Sequence, residues 1–105
     1  MSAELSVLAV TYVKVPVRVT ESGASVDPTG ATVQMAFTAS DVDPVSGDWK
    51  TASWETDATT TPDTYLARCL VGSAVTLAVG TYDVWVKILA SPETVVDRAG
   101  FLKVV

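Results

Sequence analysis

The sequence contains no histidine, and this absence excludes several kinds of catalytic and metal site. Serine or cysteine nucleophiles with an imidazole base, and zinc held by imidazole, both need that residue. Cys69 is the only cysteine, so neither an intrachain disulfide nor a cysteine-rich cluster can form. A lone cysteine in a strand-like stretch is usually a small buried apolar side chain. We therefore predict that Cys69 is buried and that the chain folds in a reducing cytoplasm.

Glycine, long apolar runs and basic residues are also scarce. The six glycines form neither GxGxxG nor GxxxxGKS/T, the patterns of phosphate-cradling loops. No apolar run approaches the roughly 20 residues of a membrane helix, and the first ten residues lack the basic n-region of a signal peptide. Seven Lys and Arg against twelve Asp and Glu give a net charge of −5 without a basic cluster. Because nucleic-acid binding draws on cations that neutralise phosphates, we predict neither a nucleic-acid nor a membrane partner.

The residues that are abundant point to β-structure. Strict alternation over residues 12–19 puts Val13, Val15, Val17 and Val19 on one face and predicts a half-buried strand. Pro16 favours an edge position or a bulge. Further strands are predicted at 4–10, 31–38, 48–55, 64–71, 81–89 and 101–105, with turn-rich segments between them, 91–100 among these. We predict one all-β domain over residues 1–105, an immunoglobulin-like β-sandwich of about seven antiparallel strands, with a small β-barrel as the alternative.

The predicted strand 81–89 carries a feature of immunoglobulin-like sandwiches. Tyr82 lies two residues before Val84, as in the tyrosine corner, where the hydroxyl bonds back across the preceding turn. Antibody domains have a cysteine at the position of Val84, so the chain would be a disulfide-free version. Alternation also predicts three residues on the face opposite the core: Asp83, Trp85 and Lys87.

Two stretches carry side chains that could form chemical sites. Asp41, Asp43 and Asp48 share one loop and could supply oxygen ligands to calcium, but Ser46 and Ala52 stand where an EF-hand has Gly and Glu. Aspartates in such loops usually hydrogen-bond the turn itself. We predict that none of them is a metal ligand.

The second stretch surrounds two tryptophans. Trp49 and Trp54 could stack on sugar rings beside Asp48 and Glu55, and two carboxylates could serve as acid and base. A sandwich of this size has little room for a cleft. We therefore predict no catalytic residue, no cofactor and no enzymatic activity, and retain a carbohydrate-binding module as an alternative function.

The tryptophans are also candidates for a protein interface. Trp49 and Trp54 are five residues apart, so without a bulge they point to opposite faces, and Trp85 lies opposite the valines of its strand. Exposed tryptophans are frequent interface anchors. We predict an interface at Trp85, Trp49 and Trp54; the alternative for Trp85 is a cover formed by Lys87, Arg98 or a loop.

Two motifs give the chain a family resemblance. The turn Asp27-Pro-Thr-Gly-Ala, followed by an alternating strand, resembles the DLTGAT-type turn of small β-sandwich domains in bacteriophage virions, such as the N-terminal domains of baseplate upper proteins. Residues 80–105, with GTYDVWVKIL, SPETVV and a Gly before the last strand, are similar to the closing hairpin of the same group. Pro28 stands where these turns often carry Leu, so the contact of that Leu must be absent or replaced.

This resemblance implies a non-enzymatic structural protein of a tailed-phage virion. We expect a capsid accessory or decoration subunit, folded in the host bacterial cytoplasm and present in many copies in a symmetric assembly. Its partners would be other virion proteins, either major capsid or tail proteins. A tail, baseplate or head–tail connector accessory is the alternative within the class.

Overall fold

The computed structural model describes residues 2–21, 24–61, 63–72, 75–90 and 93–105. Within these ranges the regular structure consists of strands and a single turn of 3-10 helix at Ser46–Asp48. The strands are β1 (Ser2–Leu5), β2 (Thr11–Val17), β3 (Val19–Glu21), β4 (Ala24–Val26), β5 (Thr32–Ala39), β6 (Lys50–Thr51), β7 (Ser53–Asp57), β8 (Thr64–Val71), β9 (Gly80–Ala90) and β10 (Glu93–Val104).

The strands form two main sheets. One has five strands in the order β1-β10-β9-β5-β6, and the other has three in the order β2-β8-β7; β3 and β4 pair only with each other. The separation of β2, β7 and β8 from β5, β9 and β10 is the division of strands found in immunoglobulin-like sandwiches. The predicted all-β, sandwich-like fold is confirmed.

The core lies between the two sheets and is built from alternating apolar residues. Met35, Val84 and Leu102 of the five-stranded sheet and Ala67 of the three-stranded sheet are fully buried. Each Val, Leu or Met buried in this way stabilises the fold by about 1.5–3 kcal/mol. The other buried members of this cluster are Val13, Val15, Val33, Cys69, Val71, Val75, Val86 and Val104.

The tyrosine corner is present. The Tyr82 hydroxyl donates a hydrogen bond of 2.7 Å to the carbonyl oxygen of Ala78, across the turn that leads into β9. Val84, two residues later, is completely buried in the core. Antibody domains have a cysteine at the corresponding position. The corner thus joins the start of β9 to the loop before it without a disulfide.

Several details differ from the sequence prediction. The strand predicted at 4–10 is Ser2–Leu5, the stretch 48–55 holds two strands that join different sheets, and β4 lies in a segment predicted to be rich in turns. β10 begins at Glu93 rather than after Gly100, because residues 93–98 continue the hairpin with β9 and a bulge between Arg98 and Gly100 absorbs the extra residue. β1 pairs with β10 in parallel, Ser2 beside Phe101 and Leu5 beside Val104, so not every pairing is antiparallel.

The sheet edges are short or carry residues that discourage further pairing. β2 is an edge strand of its sheet, as Pro16 predicted, and β6 has only two residues. β1 covers only the last part of β10. The uncovered part of that edge bears the bulge and Asp97, whose side chain lies on the inner side of the sheet, as does that of Val95. Prolines, bulges and inward charges are common protections of sheet edges.

Candidate functional site

The aspartate loop between β5 and β6 is held by its own hydrogen bonds. Asp48 Oδ2 accepts from the backbone N–H of Val45 at 2.9 Å, and the Asp48 N–H donates to the Val45 carbonyl. Asp41 and Asp43 are exposed. In the part of the chain that the structure describes, no three Cys, Asp or Glu side chains group closely enough to hold a metal ion. The geometry is that of carboxylates stabilising a turn.

The three tryptophans do not form one site. Trp54 packs against the core, and its indole N–H donates to the Ala31 carbonyl at 2.9 Å, which ties β7 to the turn before β5. Trp49 and Trp85 lie on the outer face of the five-stranded sheet. The structure therefore brings Trp49 together with Trp85 and separates both from Trp54.

Trp49 and Trp85 flank the centre of that outer face. The Trp85 indole N–H donates to Thr38 Oγ1 at 3.0 Å, and Lys87 Nζ lies 5.1 Å from the centre of the Trp49 ring. Ala36, directly opposite Trp85 in register, is fully buried beneath this cover. Both rings are half-buried, so each keeps a part of its surface for contact with another molecule.

Asp83 lies on the same face but is not solvated. Its side chain is only 1% exposed; Oδ2 accepts from the Asp41 N–H at 3.1 Å and lies 3.7 Å from Nη1 of Arg98. Oδ1 has no hydrogen-bond partner among the described residues. The outward direction predicted for Asp83 is correct, yet the loop and Arg98 cover it. Arg98 remains half-exposed, with Cζ 5.6 Å from the centre of the Phe101 ring.

One end of the sandwich exposes an apolar cluster, which we call the apolar end: Val7, Leu8, Val10, Val79 and Val105. The Val7 N–H donates to the Val105 carbonyl at 2.7 Å, and Val79 precedes Gly80, which pairs with Val104. Leu8 is 89% exposed. No charged residue occurs in the sequence ranges 5–13 and 69–82, although the β5–β6 loop, which carries Asp41 and Asp43, leaves the sheet at the same end. Contiguous exposed apolar surface often marks a protein interface.

The opposite end carries two matching acidic turns. Asp27 Oδ1 accepts from the N–H and hydroxyl of Thr29, and Asp57 Oδ1 accepts from the same two groups of Thr59. The side-chain hydrogen bond from the threonine is the main cause that lowers the pKa of each aspartate. The carboxylates of these turns therefore stay ionised and accept hydrogen bonds from the backbone of their own turn. Pro28 is buried within the first of these turns.

The outer face of the three-stranded sheet carries an ion-pair cluster around Glu55. Lys14 Nζ lies 2.9 Å from Glu55 Oε2, and Arg68 Nη1 lies 3.1 Å from Oε1. The hydrogen bond from Lys14 is the main cause that lowers the pKa of Glu55, against a smaller effect of burial. Arg68 also lies over the Tyr12 ring at 4.4 Å. Glu55 is therefore engaged on a different sheet from Trp49 and shares no site with it.

Cys69 is buried in the core, as predicted. Its thiol donates a weak hydrogen bond to the Thr51 carbonyl at 3.8 Å, and burial raises its pKa despite the positive charge of Lys50. A buried thiol with a raised pKa has little thiolate and is a poor nucleophile.

The sequence reasoning missed the apolar end and the buried Asp83. The sequence shows that the segments around Val7 and Val79 are uncharged, but its periodicity predicts a strand at 4–10 and does not show that the two segments lie together. Only the sheet order, which places β1 beside β10 and β10 beside β9, shows that these segments meet at one end.

Comparison with known proteins finds no match for this chain. No described helix has the length and apolar character needed to cross a membrane. No protein-family model matches the chain, and searches of curated proteins and of solved structures find no significant similarity.

Proposed function

We propose that this chain is a non-enzymatic structural subunit of a tailed-phage virion that acts by protein–protein contact, as a capsid accessory or decoration protein. The apolar end is the observation that carries the proposal. The DPTGA turn and the closing hairpin, which resemble parts of phage virion sandwiches, support it from the sequence side.

The apolar end has the properties of a docking surface. Five exposed apolar side chains lie on segments that the β1–β10–β9 and β2–β8 pairings bring to this end, and those segments are uncharged. The acidic turns at Asp27 and Asp57 lie at the other end of the sandwich. A subunit of this kind can seat its apolar end on a larger shell and keep its acidic end in water, where net negative charge favours solubility.

The first experiment asks where the protein resides. Virions produced from the genome that encodes the chain would be purified by density and probed with a specific antibody under the electron microscope. We expect regular labelling of the head. Labelling of the tail or baseplate would favour the accessory role there, and absence from the particles would contradict the proposal.

A second experiment tests the surface itself. Virions lacking the subunit would be incubated with purified protein, and bound protein would be measured after sedimentation. We expect Leu8→Asp and Val7→Asp to reduce binding at least about tenfold, because a charge in a desolvated apolar contact costs more than 1.4 kcal/mol.

Val95→Asp is the matched control for Val7→Asp. Val7 and Val95 are each 44% exposed, but Val95 lies in the β9–β10 hairpin, away from the apolar end. Equal loss of binding in Val95→Asp and Val7→Asp would exclude the apolar end as the contact surface.

A further inference from the structure

We propose that two copies of this chain exchange their first strand, so that β1 of each copy pairs with β10 of the other in a two-fold dimer. The inference concerns the same apolar end as the proposed docking surface and names a second partner for it, another copy of the chain. It does not depend on the virion assignment, because exchange is a property of the purified protein.

β1 has the attachment that strand exchange requires. Its only neighbour among the described strands is β10, which it meets in parallel along its whole length, with Leu5 beside Val104. The pairing continues past β1, through the Val105 N–H on the Leu5 carbonyl and the Val7 N–H on the Val105 carbonyl. Leu5 also packs against the core. β10 of a second copy presents the same backbone groups and the same core contacts, so exchange replaces each contact of β1 by an identical one.

The turn that follows β1 has unfavourable residues at its centre. The Ala9 N–H donates to the Ser6 carbonyl at 2.9 Å, which places Val7 and Leu8 at the two central positions. Ser6 suits the first position, and its hydroxyl accepts from the Leu8 N–H at 3.1 Å. Gly, Pro, Asn and Asp are the usual central residues of turns, whereas β-branched valine is enriched in strands. The turn is therefore the weak point between β1 and β2.

The local sequence favours one continuous strand through this turn. No Gly, Pro, Asn or Asp occurs between Ser2 and Val15. The sequence itself predicts a strand over residues 4–10, where the folded single copy has the turn. A local preference that conflicts with the fold identifies the hinge, because opening it allows the segment to adopt the conformation that its residues favour. In the exchanged dimer, β1, the hinge and β2 form one extended strand.

The directions of β1 and β2 determine how the two copies meet. β1 ends at the apolar end, with Leu5 beside Val104, and β2 begins at the same end, with Thr11 beside Val71. An opened β1 therefore projects beyond the apolar end. To reach β10 of the second copy, the two copies must face each other through their apolar ends across a two-fold axis. The two hinges then run past each other at this axis.

Burial of apolar surface favours the exchanged form. Val7, Leu8 and Val10 are 44%, 89% and 61% exposed, and an end-to-end dimer removes them from water together with the rest of the apolar end. The β5–β6 loop with Asp41 and Asp43 leaves the sheet at this end too. β5 is three strands from β1 in the sheet order, about 14 Å away, so this loop lies at the rim of the contact. The dimer covers the apolar end, so the single subunit is the form that the proposed docking requires.

A cysteine pair distinguishes exchange from ordinary association. Glu4 and Lys103 are exposed register partners on β1 and β10, close enough for a disulfide. In Glu4→Cys/Lys103→Cys, that disulfide joins two chains in the exchanged dimer and closes within one chain in the monomer. Thr81→Cys/Lys103→Cys is the matched control, because Thr81 is the register partner of Lys103 on β9, which is not exchanged. Cys69 is buried and does not compete.

The experiment begins with refolding over a series of protein concentrations, because β1 must leave β10 before it can exchange. The dimer fraction is isolated by size exclusion under reducing conditions, oxidised, and run denatured on a gel without reductant. We expect the dimer fraction of wild type and of both variants to rise with concentration. The Glu4→Cys/Lys103→Cys dimer should give covalently linked pairs, and the control dimer should give single chains.

Two substitutions of Leu8 test the hinge. Leu8→Asn is expected to weaken the dimer at least about tenfold, because Asn favours the turn, is depleted in strands and removes an apolar side chain from the contact. Leu8→Val keeps an apolar residue with a higher strand preference, so it should dimerise at least as well as wild type. Sedimentation velocity compares the two variants, and circular dichroism distinguishes loss of association from loss of fold.

Three results would overturn the inference. They are a wild-type protein that stays monomeric after refolding at every concentration, a dimer in which the disulfide between positions 4 and 103 stays within single chains, and equal dimerisation of Leu8→Asn and Leu8→Val. None of them decides the proposed function, because the virion assay measures capture by particles and not self-association. Loss of virion binding alone would likewise leave strand exchange standing.

Discussion

The hydrogen bond of the tyrosine corner makes a measurable prediction for Tyr82→Phe. The substitution keeps the ring, which packs against the core, and removes only the hydroxyl that donates to Ala78. The O···O distance of 2.7 Å is optimal for such a bond. Ala78 is exposed, so water can reach its carbonyl once the hydroxyl is gone. The expected loss is therefore the net worth of one hydrogen bond, about 1 kcal/mol, without an added desolvation cost.

Thermal and urea unfolding at one fixed protein concentration provide the assay. A loss of about 1 kcal/mol corresponds to a fall in Tm of about 4–8 °C for a domain near this size. The urea midpoint should fall with an unchanged m-value, because the buried surface stays the same. Tyr12→Phe is the matched control, since the Tyr12 ring contacts Arg68 through its face and phenylalanine keeps that contact. Equal stability of Tyr82→Phe and Tyr12→Phe would refute the reasoning.

Three other predictions concern backbone geometry, acid stability and thiol reactivity. Gly72→Ala should destabilise the fold by more than about 2 kcal/mol, since Gly72 has φ +99° and an added Cβ would lie 2.2 Å from the Ala9 carbonyl oxygen. Gly47→Ala is the control, because a Cβ at Gly47 meets no atom within 4 Å. Similar urea midpoints for the two variants would contradict this prediction. The pKa of Glu55 is lower in the folded chain than in the unfolded one, so the stability that its carboxylate contributes is present above the unfolded pKa and is lost as pH falls through the folded pKa. Glu55→Gln should therefore lose less stability than wild type between about pH 5 and about pH 3. Identical pH profiles of stability would count against the ion-pair cluster. Cys69 should react with a thiol reagent only after unfolding in denaturant, and fast labelling of the native protein would show that its burial is incomplete.

The fold could be predicted from the sequence because its signals are local. Alternation in Val13, Val15 and Val17 and in Val33, Met35 and Phe37 places these residues toward the core, and Tyr82 forms the corner that its spacing predicted. The start of β10 could not be predicted, because residues 93–98 extend past the region that the sheets bury. Exposed Val95 and Val96 there give no clean alternation of apolar and polar residues.

The interaction surfaces depend on contacts between distant residues. Trp54 faces the core because β7 joins the three-stranded sheet, whereas Trp49 shares a face with Trp85 because β6 joins the five-stranded sheet. Local periodicity does not determine which sheet each strand joins. The burial of Asp83 depends in the same way on a loop that folds back from Asp41. The virion role and the interface role of the tryptophans stay predictions.

The parallel pairing of β1 with β10 determines when the five-stranded sheet can be completed during synthesis. Ser2–Leu5 leave the ribosome about a hundred residues before their partners Phe101–Val104. At about 5–20 residues per second, β1 waits roughly 5–20 s for the strand that it joins. Its only neighbour among the described strands is β10. A nascent chain that stalls before Phe101 therefore leaves residues 2–5 unpaired and unfolded, a form that cellular proteases cleave.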